Sequence, residues 1–298
     1  MREHDLSLQA YAKVNLGLDV VRRLENGYHE VKMIMQTVDI ADTLYFNKID
    51  SGIQVTVEGE FIEGGIVPAD ENNLIYKAAK QMFETYRIQG GVAIHLVKRI
   101  PVAAGMAGGS TDAAATYRGI NQLFEVGASI AELEKLAVKV GADVPYCISG
   151  GTALSEGIGE VLTALPDAPE CVLLVAKPDI SVSTKYVYEN LNLPGVANHP
   201  DIDGMVKAIK AREAGEVWSR MANVLETVTV KAYPIIEEIK DVMRQEGAIQ
   251  SLMSGSGPTV FGIYDDTEKA QKARDFIVEK GLARQVFVSR FVNPGKEE

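Results

Sequence analysis

Apolar and polar positions alternate in short runs along the first hundred residues. Leu6–Tyr11 and Val14–Val21 are apolar or alternating, and Thr43–Phe46, Ile53–Val57 and Val92–Val97 read alike. Residues 53–57 run Ile-Gln-Val-Thr-Val, the strict period of two that marks a half-buried strand. The period then changes. Leu74, Ala78, Met82 and Tyr86 recur at i, i+4 and predict an amphipathic helix, capped by Asp70 or Asn72. Ser110 is placed to cap a second helix, which puts Ala113, Tyr117, Ile120 and Phe124 on one face. A third is expected over Ile130–Val140, ending at Gly141. Gly141–Pro145 reads as a turn, and a glycine-rich hairpin region follows through Gly150, Gly151, Gly157 and Gly159.

Cys171–Ala176 is a buried-strand candidate that opens the second half. The stretch from Lys177 to His199 is irregular at both ends, with Pro178, Pro194 and Pro200 in its loops. Helices are expected at 203–213, 216–230, 234–245 and 267–280, and strands at 249–253, 259–264 and 284–289. Ser254-Gly255-Ser256-Gly257-Pro258 forms a turn between the first two of these strands. A domain boundary is placed near residues 160–170, and no internal repeat is present.

Composition narrows the class. A chain of 298 residues is long for one core and comfortable for two. With 46% hydrophobic and 24% charged residues it is an ordinary globular sequence. The net charge of −11 counts against a general nucleic-acid binder. Any phosphate handled by so acidic a chain must be met by positive groups gathered locally. Two cysteines, Cys147 and Cys171, give neither a disulfide framework nor zinc spacing, and buried thiols suit a reducing cytoplasm. Met1–Asp5 is too polar for a secretory signal, and runs such as Cys171–Ala176 fall far short of the roughly 18 apolar residues of a membrane helix. The expected setting is cytoplasmic, without nucleic-acid or membrane partners.

Pro101-Val-Ala-Ala-Gly105-Met-Ala-Gly108-Gly109-Ser110-Thr111-Asp112 carries the most chemistry. Small residues let backbone approach an anion, and the helix behind presents free N–H groups and its positive end. A loop that merely packs closely is the alternative, although six small residues in nine exceed the needs of a tight turn. No Lys follows the glycines, so this is not a Walker A loop, and their spacing does not fit the dinucleotide fingerprint.

The loop resembles the phosphate-binding motif of the GHMP kinases. Ala12-Lys13-Val14-Asn15-Leu16 and Met253–Pro258 resemble that superfamily's first and third motifs, so the likeness runs along nearly the whole chain. Lys13 with Asn15, Gly27-Tyr28-His29-Glu30 and Gly141-Ala142-Asp143-Val144-Pro145 together are similar to the branch acting on a cytidine diphosphate adduct of methylerythritol, in non-mevalonate isoprenoid biosynthesis. Ala104, Met106 and Ala107 stand where many relatives carry Gly or Leu.

The resemblance implies a two-domain α+β fold, residues 1–162 like ribosomal protein S5 domain 2 and residues 163–298 ferredoxin-like. It implies an ATP-dependent kinase using Mg²⁺, with Ser110 as candidate metal ligand, acting on the substrate's 2-hydroxyl. Lys13 and Asp143 are the implied catalytic residues: Asp143 takes or orients the hydroxyl proton and Lys13 stabilises charge. Pro101, Gly105, Gly108, Gly109, Ser110, Thr111, Asn73, Leu74 and Lys98 are implied for ATP, the last three around adenine. Asn15, Tyr28, His29, Thr184, Tyr188, Gly255, Ser256 and Gly257 are implied for the substrate, with Tyr28 and Tyr188 stacking on cytosine and Tyr186 as rival to Tyr188.

Each position also has a plainer reading. Lys13 and Asn15, two apart, share one face of a strand and suit a solvated one; Asp143 suits a turn; Asn26-Gly27 marks a surface turn before Tyr28; Asn73 suits a helix cap and Lys98 a strand-end charge; Gly255–Gly257 suits a hairpin. Rival functions are a GHMP kinase for another alcohol and a non-catalytic member that senses a ligand. A monomer or homodimer is expected.

Overall fold

The computed structural model describes residues 4–60 and 67–294; of the polar N-terminal run, Met1–Glu3 lie outside the described residues. The chain divides into two compact units that are not consecutive stretches. One comprises Met1–Ala12, Ile40–Val102 and Ala107–Ser149, the other Lys13–Asp39, Ala103–Met106 and Gly150–Glu298.

Two long strands, β1 (Leu6–Arg23) and β2 (His29–Ile49), pair with each other and pass through both units. The two runs read near the N-terminus are therefore one strand, and β2 begins well before Thr43. The His29–Asp42 stretch was illegible because it is buried on both faces over Met33–Val38. Such strands lose the alternation that betrays them.

In the first unit, β3 (Gly52–Gly59) lies parallel to β4 (Gly91–Lys98), and β4 is antiparallel to the C-terminal half of β2, with Thr43 opposite Val97 and Ile49 opposite Gly91. Helix α1 (Leu74–Tyr86) buries Ile75, Ala78, Ala79 and Met82. Its cap is Asn73, not Asp70 or Asn72: Asn73 Oδ1 accepts from the Ile75 N–H at 2.9 Å. Arg87 ends it in the left-handed region at φ 53°. Helix α2 (Gly108–Leu123) packs on α1, and Tyr117 and Ile120 are fully buried on it. Gly119 faces the Phe46 ring, which occupies the space a Cβ would need. Helix α3 (Ile130–Ala137) has the capping box of Ser129 and Glu132. It stops three residues short of Val140; the expected turn is present, with the Val144 N–H donating to Gly141 O at 3.2 Å, and runs directly into α4 (Val144–Ser149).

In the second unit, the N-terminal half of β2 pairs with β5 (Thr152–Glu156), which forms the expected hairpin with β6 (Val161–Ala164). A separate antiparallel sheet contains β7 (Val172–Lys177), β8 (Gln250–Met253), β9 (Val260–Tyr264) and β10 (Gln285–Ser289), in the order β10-β7-β9-β8. Helices α5 (Thr184–Glu189), α6 (Ile202–Ala211), α7 (Ala214–Ser219), α8 (Glu226–Ala232) and α9 (Ile235–Gln245) lie between β7 and β8, and α10 (Thr267–Glu279) joins β9 to β10. Helices α9 and α10 pack on the sheet. With α9 as crossover this is the split βαβ arrangement of a ferredoxin-like sheet. The single helix expected over 216–230 is two, because Arg220–Leu225 leaves the helix to pair with β1: Leu18 N–H donates to Ala222 O and Val224 N–H to Leu18 O, both at 3.0 Å.

Candidate active site

In the first unit the glycine-rich loop enters α2 differently from the expected Ser110 cap. The helix begins at Gly108, its N-cap is Ala107 at φ 57°, and Ser110 is the third helical residue. Ala107 provides no side-chain hydrogen bond, so the N–H groups of the first turn are left uncapped. Gly109 is exposed and Ser110 half-buried at this end, which suits an anion. The Thr111 hydroxyl is committed elsewhere, donating to Tyr11 O at 2.6 Å. Asn73 is spent on the α1 cap and on Pro68 O, while Leu74 Cδ1 lies 3.5 Å from where a Gly109 Cβ would stand. Pro101 is buried.

Lys98 at the end of β4 is buried, and its ammonium donates to Asp42 and, at 2.7 Å, to Asp112 Oδ2. Burial pulls its pKa down, but the Asp112 and Asp42 carboxylates outweigh that and the net displacement is upward. Sequence reasoning passed over both acids. The legible signal for Asp112 was a charge set among Ala113, Ala114 and Ala115 on an otherwise apolar helix. Asp143 directly precedes α4, half-buried, and its carbonyl accepts from the Cys147 N–H at 3.1 Å.

In the second unit Lys13 and Asn15 do share a face, but not a solvated one: they are 4% and 0% exposed. Lys13 Nζ donates to Asn15 Oδ1 at 2.7 Å, and Asn15 Nδ2 lies 3.3 Å from Met33 Sδ. The Lys13 N–H donates to Met106 O, fastening Ala103–Met106 to β1. Gly105, at φ 72°, lies so close to Ser254 that a Cβ would collide with the Ser254 carbonyl, and the Ser254 side-chain hydroxyl donates to Gly105 O at 3.0 Å. The Gly255–Gly257 turn is thus gathered beside Gly105 and Asn15; a Cβ on Gly255 would stand 3.6 Å from Asn15 Oδ1. Asn223, not singled out from sequence, donates to Met253 O and Gly255 O, both at 2.8 Å. The Thr184 and Ser256 hydroxyls are bonded at 2.8 Å.

Of the two candidate tyrosines, Tyr188 is the one beside His29. Tyr188 lies against His29, ring centroids 5.1 Å apart and tilted by 37°, while Tyr186 is exposed. Tyr28, after the Asn26-Gly27 turn, is 61% exposed, which leaves its ring face open to a ligand. Burial, then the Arg23 charge, lowers the His29 pKa below its ordinary 6.5, so the ring is neutral near pH 7.

Among the described residues no group of three or more His, Cys, Asp or Glu is placed to hold a metal ion, and no helix is long and apolar enough to cross a membrane.

Residues 73–151 match the GHMP kinases N terminal domain and residues 201–283 the GHMP kinases C terminal domain. A 4-diphosphocytidyl-2-C-methyl-D-erythritol kinase of Lachnospira eligens is 51% identical over 97% of this chain and 99% of its own. A crystal structure of 4-(cytidine 5'-diphospho)-2C-methyl-D-erythritol kinase matches with a TM-score of 0.81 at 31% identity, covering 96% of this chain and 99% of that one. The homoserine kinase of Cytophaga hutchinsonii matches with a TM-score of 0.77 at 22% identity, over 99% and 97%, a likeness of fold. The chain belongs to the 4-diphosphocytidyl-2-C-methyl-D-erythritol kinase family of the GHMP kinases.

Proposed function

We infer that this chain transfers the γ-phosphate of ATP to the 2-hydroxyl of 4-diphosphocytidyl-2-C-methyl-D-erythritol, a step toward isoprenoid precursors. Identity to the Lachnospira eligens kinase over nearly the full length carries the reading. The uncapped first turn of α2 supports the phosphate role of Gly108, Gly109 and Ser110. Mg²⁺ would accompany ATP, neutralising phosphate charge, with the Ser110 hydroxyl as its protein ligand.

Lys13 supplies a positive group for the transferring phosphoryl. Its contact with Asn15 fixes the direction of the ammonium. Asp143 accepts or orients the hydroxyl proton; phosphoryl transfer depends chiefly on positioning and charge neutralisation, so orientation is its larger contribution. Tyr28 and Tyr188 present ring faces to cytosine, with neutral His29 reading the base edge, and stacking of this kind is worth about 1–3 kcal/mol per base. The Thr184–Ser256 pair and the backbone of Gly255–Gly257 line the alcohol. Asn73 and Leu74 are assigned to the adenine side, whereas Lys98, implied for adenine by the resemblance, has its ammonium held by Asp42 and Asp112 and is not assigned there; the setting is cytoplasmic.

The test is ADP release from the purified protein with Mg-ATP and a panel of the cytidyl substrate, homoserine and mevalonate. Turnover is expected with the cytidyl substrate alone. Comparable turnover of either other alcohol would reject the assignment.

A further inference from the structure

β4 ends at Lys98, and the loop that follows opens with Arg99-Ile100-Pro101. Asp42, on β2, accepts through Oδ1 from the N–H groups of Arg99 and Ile100, the latter at 2.8 Å. Through Oδ2 it accepts from Lys98 Nζ. The same ammonium donates to Asp112 Oδ2, about one turn into α2. Asp42 therefore grips the entry of the glycine-rich loop, Asp112 its exit, and Lys98 joins them. Gly108 stands directly over the junction, since a Cβ there would lie 3.0 Å from Lys98 Nζ.

The side chains of Lys98, Asp42 and Asp112 are 5%, 0% and 4% exposed, and one ammonium faces two carboxyls. Asp112 Oδ1 is buried without a hydrogen-bond partner among the described residues. Burial drives the Asp112 carboxyl well above its usual range, against the attraction of Lys98, and Asp42 pushes the same way. Stability alone is better served by an apolar side chain at this position, because a buried carboxyl oxygen left without a partner costs about 1–3 kcal/mol. A costly group beside a ligand loop points to function.

We propose that Asp42, Lys98 and Asp112 form a buried clamp that sets the shape of the nucleotide loop, with Asp42 and Asp112 acting as positioning residues for the ATP phosphates. Lys98 then works from beneath the loop, and its ammonium is held by the two acids. The clamp rests on the reading of residues 101–112 as the nucleotide loop.

Asp112→Ala leaves a balanced Lys98–Asp42 pair and is expected to fold, with a melting temperature at or above that of the wild type. Affinity for a non-hydrolysable ATP analogue with Mg²⁺, measured by calorimetry, should fall by about tenfold or more, as misplacement of a positioned group implies. KM for ATP should rise in step, while KM for the cytidyl substrate stays within about twofold. Asp112→Asn keeps the shape and an acceptor for Lys98, so it should recover part of the loss; if the alanine variant does not fold, the asparagine variant decides by the same split. Wild-type analogue affinity in a folded variant overturns the clamp, and so does an equal rise in both KM values, which marks mere packing. A wild-type protein that fails to bind the analogue would instead reject the loop as the nucleotide site.

Discussion

Asp143 can be isolated experimentally because its backbone and side chain have separable duties. Its carbonyl starts α4 by accepting from Cys147, and a near-isosteric change at the carboxyl leaves that bond in place. Asp143→Asn should therefore retain the wild-type melting temperature while kcat falls by about 10²–10⁴, the usual worth of a positioned base, with both KM values little changed. A loss nearer tenfold would assign it to orienting the hydroxyl, and full activity in the folded variant would remove it from the mechanism. His29 gives a pH signature. Its folded pKa lies below 6.5, so the unfolded chain takes up the proton first as pH falls. Its contribution to stability is thus intact above about 6.5 and is lost as pH drops through the folded pKa. KM for the cytidyl substrate should be flat above that range and rise below it. In His29→Gln this rise should vanish, measured in matched buffers; an unchanged profile would place the titrating group elsewhere.

At the level of elements, the two glycines that open α2 serve different ends. A Cβ on Gly108 meets the held ammonium of Lys98 and, at 3.2 Å, Ile100 Cγ2, whereas one on Gly109 meets only Leu74 Cδ1 at an ordinary 3.5 Å. Gly109→Ala should keep or raise the melting temperature, since helical Gly→Ala gains about 0.5–1 kcal/mol, yet raise KM for ATP. Gly108→Ala should lower both stability and ATP affinity. An unchanged KM for ATP in Gly109→Ala would show that the phosphates do not approach there.

Much of this arrangement was legible beforehand. The periods of α1, β3, β4 and the β7–β10 sheet announce themselves because each buries one face or is short and bounded by turns. What stayed hidden depends on partners far along the chain. Nothing local reveals that Ala107 adopts a positive φ, or that Arg220–Leu225 abandons its helix for Leu18. The face shared by Lys13 and Asn15 follows from strand geometry, but its burial does not. Asp42 and Lys98 are 56 residues apart, and no spacing rule joins them.

The whole molecule is interleaved: β1 and β2 each serve two compact units, and the chain enters the second unit three times. A cut at the 162/163 boundary suggested by the sequence would leave Lys13–Asp39 without Asn223, Arg290 and Phe291, which pair with its backbone. A fragment of residues 1–162 is expected to be insoluble or aggregated, and adding the missing piece in trans should restore solubility. A monomeric fragment with a cooperative melt would show that the N-terminal region folds alone. The same interleaving has a consequence for biosynthesis. Asp39 leaves the ribosome about 250 residues before its partner Arg290, so at 5–20 residues per second the apolar N-terminal half of β2 waits roughly ten to fifty seconds for its last partners. During that interval a nascent chain bears exposed sheet edge, and its yield in the cell will depend on chaperone supply and translation speed more than the finished enzyme's stability would suggest.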